Sequence, residues 1–291
     1  MATSNIIFTR SNIVVGSNNT TLLYKFPNTV SFPNHEIALS SLAMFYAWRN
    51  IDASLYGNNT LTYTWENAAN VVTTYTITIP DGLYEIADIN SYCQYVMIAN
   101  GHYLVNASGQ NVYYFNMVVN PNLYAIQLNT YQFPIALPVG YTNPAAIPFP
   151  ITQTFKPQVA TPANFNQIIG FASTFISARD LGVAYPDTNS YTSITSPQVQ
   201  PAPTLILNTS NINNIYSNPS TCIYAVTPTV AIGEQIVERP PEFSWNKLTS
   251  GTYSEIRIQL TTPTGALVPI LDPQMTVILA IREISGINNR R

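Results

Sequence analysis

Histidine, cysteine and clustered carboxylates are where a chain could do chemistry, and this chain spends few residues on them. Histidine occurs twice, as His35 and His102. His35 sits in Phe32-Pro33-Asn34-His35-Glu36, a turn into a strand, where neighbouring Glu36 has no triad spacing. His102 follows the helix stop Gly101, a position where imidazole usually serves the helix end. Cys93 and Cys222 are far apart and read as two buried thiols. There is no C-x-x-C and no H-x-x-x-H, so a zinc site is not expected. The densest acidic stretch is Glu234, Glu238 and Glu242 around Arg239. A paired-acid glycosidase needs two such groups opposed across a cleft. Their placement before Pro240-Pro241 reads better as strand-edge charge and salt bridges. Asp180 and Asp187 offer oxygen ligands for calcium on a loop, without EF-hand spacing, and no glycine-rich phosphate loop is present. The expectation is a protein that is not an enzyme, with no catalytic, cofactor-binding or metal residues, no cofactor, and no interface residue singled out.

The elements that would position such groups are mostly strands. In Thr60–Trp65, Leu61, Tyr63 and Trp65 alternate with threonines, and Thr74–Ile79 and Glu255–Leu260 repeat the pattern. Period-2 alternation of Thr, Tyr, Ile and Val fits half-buried strands. Residues 37–48 and 276–281 are apolar on both faces and predict central strands covered on both sides. Further strands are expected over 5–15, 20–26, 204–210, 221–228 and 234–245. A helix is predicted over 88–97, with Asp88 as N-cap, Gly101 as stop, and Ile89, Tyr92, Cys93, Val96 and Met97 on one face. A shorter one follows Thr161 as cap and Pro162 as first helical residue, ending at Gly170. Seven prolines between 134 and 162 and a second punctuated stretch over 186–203 read as linker and long surface loop. The fold class expected is all-β: a single jelly-roll sandwich with an inserted β-plus-helix domain. Its boundaries are 1–55 and 170–291 for the sandwich and 56–169 for the insertion.

Composition narrows the partners. Only 9% of the 291 residues are charged, three of them lysines, where soluble domains carry roughly 25%. Asn, Thr and 19 Tyr take their place. Like charge keeps copies of a protein apart, so a chain that gives it up suits a subunit packed against its siblings. Net charge is −3, which argues against sequence-specific nucleic-acid binding; Arg290 and Arg291 form the one basic cluster, read as a solvated tail. The opening MATSNIIFTR has no apolar signal core, and no run reaches the ~20 residues of a membrane span. Met1–Arg10 and Asn288–Arg291 are plausible arms that order on assembly.

Four stretches resemble, in order, the penton proteins of virophages, polinton-like viruses and related large DNA viruses. Asn34-His35-Glu36-Ile37-Ala38-Leu39-Ser40-Ser41-Leu42-Ala43-Met44-Phe45-Tyr46-Ala47-Trp48-Arg49-Asn50-Ile51 is similar to their early strand. Ile79-Pro80-Asp81-Gly82-Leu83-Tyr84, with the helix carrying Ile89-Asn90, resembles their strand–turn–helix unit. Phe165-Asn166-Gln167-Ile168-Ile169-Gly170-Phe171 resembles their Leu-Leu-Gly-Phe segment, and 255–260 through 277–283 their closing strand pair. The resemblance implies a structural capsid protein: a jelly roll forming homopentamers at the fivefold vertices of an icosahedral double-stranded-DNA virus. Its partners would be itself and double-jelly-roll major capsid proteins, with a host surface receptor reached through the insertion. Its location would be the virion, after synthesis in the host cytoplasm or a virus factory. No functional residue carries over.

Two other readings stay open. One is a receptor- or carbohydrate-binding β-sandwich module on a virion surface, with Tyr113, Tyr114, Tyr124 and Tyr131 as exposed rings able to stack on sugars. The other is a β-sandwich hydrolase using Glu238 and Glu242.

Overall fold

The structure, a computed structural model, describes residues 3–66, 71–200 and 202–284. Most of Met1–Arg10 is therefore described, while Asn288–Arg291 lies outside the described residues. The chain forms two compact units, one of Met1–Arg49 with Ala202–Arg291 and one of Asn50–Pro201.

The first unit begins with β1 (Thr3–Phe8), β2 (Thr21–Ser31) and β3 (His35–Phe45). The inserted unit holds β4 (Thr60–Glu66), β5 (Val72–Thr78), α1 (Ile86–Ala99), β6 (Leu104–Val105), β7 (Asn111–Val112), β8 (Phe115–Asn120), β9 (Ala125–Tyr131), β10 (Val159–Thr161), α2 (Ala163–Ile169), β11 (Phe175–Ile176) and β12 (Thr188–Thr192). The chain then returns through β13 (Leu205–Thr209), β14 (Cys222–Val226), β15 (Gln235–Glu238), β16 (Asn246–Lys247), β17 (Thr252–Thr261) and β18 (Thr276–Glu283). The protein is mainly β, as its alternation predicts.

In the first unit, one sheet runs β1-β18-β3-β15, with β16 also on β3, and the other runs β14-β13-β17-β2. Every pairing is antiparallel, and the chain keeps switching between sheets. That is the strand order of a jelly roll. Both sheets contribute to one apolar core, where Phe8, Leu22, Ile37, Trp48, Leu207, Ile258 and Val277 are fully enclosed. The alternation of β17 works as read: Ile256, Ile258 and Leu260 are buried, while Glu255, Arg257 and Gln259 are not. Two strands are shorter than expected. A single 3₁₀ turn at Arg10–Asn12 stops β1, leaving Val15 outside it. Pro240 and Pro241, which donate no backbone hydrogen, end β15 at Glu238. The Trp48 indole donates to Ala202 O at 3.0 Å and fixes the strand end where the chain leaves and returns.

Three sheets build the inserted unit: β11-β10-β4-β5, β12-β9-β8 and the pair β6-β7. Its core mixes aliphatic side chains with many aromatics, among them Tyr63, Trp65, Phe115, Phe133, Phe155 and Phe165. Asn50 ties its two ends. The amide donates to Tyr84 O at 2.6 Å and Val199 O at 2.8 Å and accepts the Tyr84 N–H at 2.9 Å.

The units meet their joints at 49–50 and 201–202, not at the expected 55–56 and 169–170. Residues 170–201, expected in the sandwich, belong to the insertion because β11 pairs with β10 and β12 with β9. Their proline and serine content hid β12 inside what reads as a loop. The helices also shift. Glu85, not Asp88, caps α1, and Asp88 sits one turn in, its carboxylate accepting the Glu85 N–H at 2.9 Å. Pro162, not Thr161, occupies the cap of α2, and Gly170 closes that helix at φ 76°. A Cβ at Gly170 would lie 2.2 Å from Thr195 O, so only glycine fits this crossing.

Candidate functional site

The residues picked out by type are used locally. His35 is half-buried, its Nδ1 2.6 Å from Pro33 O. Glu234 accepts the Ala231 N–H at 3.1 Å within its own turn, and Glu238 lies at the end of β15 opposite Leu42. Cys93 is enclosed on the inward face of α1, and burial pushes its thiol up to about 12. Cys222 is free and half-buried on β14, its thiol also raised by burial. A nucleophilic cysteine needs the opposite shift.

His102 proves to be a core residue of the inserted unit. Its ring stacks on Trp65 at 4.3 Å and 11°, meets the Tyr75 ring edge-on at 4.6 Å, and places Nδ1 2.8 Å from the Tyr63 hydroxyl. Asn100 donates to that hydroxyl at 2.9 Å, leaving its proton for the imidazole. Burial lowers the His102 pKa from 6.5 to about 4, which keeps the ring neutral. It is a packed acceptor, enclosed by aromatics.

Asp180 and Asp187 do converge, but on a cation the chain supplies itself. Lys156 is fully buried, with Nζ 3.3 Å from Asp180 Oδ2, bonded to Asp187 Oδ2, and 2.7 Å from Asn189 Oδ1. The lysine hydrogen bond holds the Asp187 carboxyl below its usual range. The ammonium sits where the sequence suggested calcium. Arg179 pairs with buried Glu66 at 2.7 Å in the same unit.

A cleft of about 360 Å³ opens beside this ion cluster. Residues flanking β7 and β8, the end of β9, the run into β12 and Gln94 of α1 form it. Three of the four tyrosines named from sequence line it: Tyr113, Tyr114 and Tyr131. Tyr124 does not; it stands 81% exposed at the β8–β9 turn. Tyr114 is buried, not exposed as expected, because its ring packs edge-on against Phe133 at 4.7 Å. Tyr185, Asn116, Asp187 and Gln132 complete the polar and aromatic lining. Asn116 Oδ1 accepts from Asn129 at 2.9 Å and from the Tyr131 hydroxyl at 3.3 Å, fixing that ring. The Gln132 backbone N–H donates to Asp187 O at 2.9 Å. Its side chain is different: Gln132 is 1% exposed, yet neither Nε2 nor Oε1 has a hydrogen-bond partner, and the Tyr114 hydroxyl has none either. Burying an amide without partners is costly, so such groups are rare in native folds.

Sequence reasoning missed Gln132, Tyr185 and Lys156. The inward row Ile126, Leu128, Thr130, Gln132 carried a signal, since a core-facing strand face turns polar at its end. Among the described residues, no group of three or more His, Cys, Asp or Glu is placed to hold a metal ion. No helix among them is long and apolar enough to cross a membrane.

No family profile matches the chain, and no curated protein does. Among solved structures it is similar to selenomethionine-labelled mavirus penton protein, at 9% identity and a TM-score of 0.46, over 98% of this chain and 100% of that one. A likeness of that degree decides neither fold nor function.

Proposed function

We propose that this chain is a non-enzymatic structural subunit of an icosahedral viral capsid, a penton whose jelly roll forms homopentameric rings at the vertices and meets double-jelly-roll major capsid proteins. The observation that carries this reading is the outward face of the sheet β1-β18-β3-β15. Register places Ile7 beside Ile278 and Ser41, and Thr276 beside Ala43 and Val237, on that face. None is charged. Ile7 is 50% and Val237 52% exposed, and the four between them are half-buried. The sequence of β3 and β18 calls for cover on both faces; the inner face has it, and on the outer face Ala38 and Ala280 are enclosed while the six residues named above stay partly open. An identical neighbour supplies cover without like-charge repulsion. Charge returns at one end of the face, where Glu36 pairs with Arg282 and the guanidinium lies 4.0 Å from the Trp245 ring centroid. The resemblance in the four stretches described above adds the vertex and the partners.

Mass photometry of the purified chain tests this. Rings of five have a mass of about 160 kDa, five times 32.1 kDa. A monomer at every concentration, together with particles whose vertices lack this chain in electron micrographs, overturns the reading.

A further inference from the structure

The cleft of the inserted unit is lined by residues outside the sheet face on which the capsid reading rests. We propose that it binds one neutral sugar ring, a hexose or N-acetylhexosamine at the end of a glycan. This goes beyond the capsid reading and stands independently of it, because every residue involved lies within 94–188.

The argument begins with Gln132. Its amide has both a donor and an acceptor unmet inside the fold. An apolar residue there would cost the free protein less, so the amide is retained at the expense of stability. Because the side chain holds no hydrogen bond, a rotamer change toward the cleft breaks none. A sugar hydroxyl both donates and accepts, and one such group answers both ends of the amide.

The tyrosines answer the rest of the ring. Tyr113, Tyr131 and Tyr185 are partly exposed and present an apolar body with a polar tip, suited to a ring with C–H faces and a hydroxyl rim. The volume falls at the small end of the roughly 300–1,000 Å³ of ligand pockets, which suits a single ring.

Charge selects against ionic ligands. The inserted unit carries seven acidic and two basic residues, a net charge of −5. Both bases, Lys156 and Arg179, are already bonded to carboxylates. Sialic acid or phosphate would meet no unpaired base in the lining. A quaternary ammonium would suit the tyrosines and Asp187 but would offer the Gln132 N–H no acceptor.

The test is saturation-transfer NMR on the full chain. Glucose, galactose, mannose and N-acetylglucosamine are the neutral probes; tetramethylammonium and N-acetylneuraminate are the cationic and anionic ones. At least one neutral sugar receives saturation, and Gln132→Met and Tyr185→Ala each weaken it by at least about tenfold. The thermal midpoint of Gln132→Met equals or exceeds that of the parent, since an orphaned amide is removed. Tyr185 is 40% exposed, so its variant keeps the test valid if the first fails to fold. The proposal falls if no neutral sugar binds, if both variants bind as the parent does, or if either ionic probe is preferred. Each of these outcomes leaves ring assembly untouched.

Discussion

Lowering the pH from 7.5 to 4 loads a proton onto His102 in nearly every unfolded chain and in about half of the folded ones. The folded ring is held neutral near a pKa of about 4, against 6.5 for the ordinary group, and the cause is burial. Between those values the unfolded state binds more protons, so stability falls as pH falls through the window. The contribution is complete above about 6.5 and is lost by about 4. At about 1.4 kcal/mol per unit as an upper bound, the loss is about 2 to 3 kcal/mol. His102→Gln supplies the reference, because it has no titrating ring while every other group is shared. Urea unfolding of both proteins at half-unit pH steps should show the parent losing about 2 to 3 kcal/mol more than the variant. The slope of the difference should be confined to pH 6.5–4. Parallel curves would refute the reasoning. So would an NMR titration in which the His102 ring protonates near 6.5 in the folded protein.

Three further mutational comparisons check other parts of the structure. Lys156→Met should cost less than the pair Asp180→Asn with Asp187→Asn. The first leaves two partly hydrated carboxylates, the second a fully enclosed ammonium without a counter-charge; thermal melts of the two variants should differ by several degrees, and the reverse order would contradict the burial of Lys156. Gly170→Ala should destabilise by at least about 2 kcal/mol in chemical denaturation, since it meets both a left-handed backbone and the Thr195 carbonyl. Ile7→Glu with Val237→Glu should abolish the rings in mass photometry, while the subunit's own stability changes by about 1 kcal/mol or less because both positions are half exposed.

The amino-acid sequence by itself determined the strands and the function classes left open. Alternation in β4 and β17 and the apolar stripe of α1 are local patterns, and a strand or helix reads its own side chains every two or 3.6 residues. Scarce charge and few histidines are composition, which needs no fold at all. Tertiary structure decided what lies together. Lys156 meets Asp180 through the Phe155–Leu181 bridge and its own N–H to Asp180 O at 3.0 Å, and Asp187 joins them because β12 pairs with β9, a contact between residues some sixty positions apart that no local period encodes. The same pairing moved 170–201 into the insertion and brought Tyr131 and Gln132 beside Tyr185. Helix caps moved for a related reason, from Asp88 to Glu85 in α1 and from Thr161 to Pro162 in α2: several residues near an N-terminus can cap it, and packing chooses among them. Side-chain periodicity is written along the chain, whereas register between distant strands is settled only when the core closes, and the cleft exists by virtue of that register.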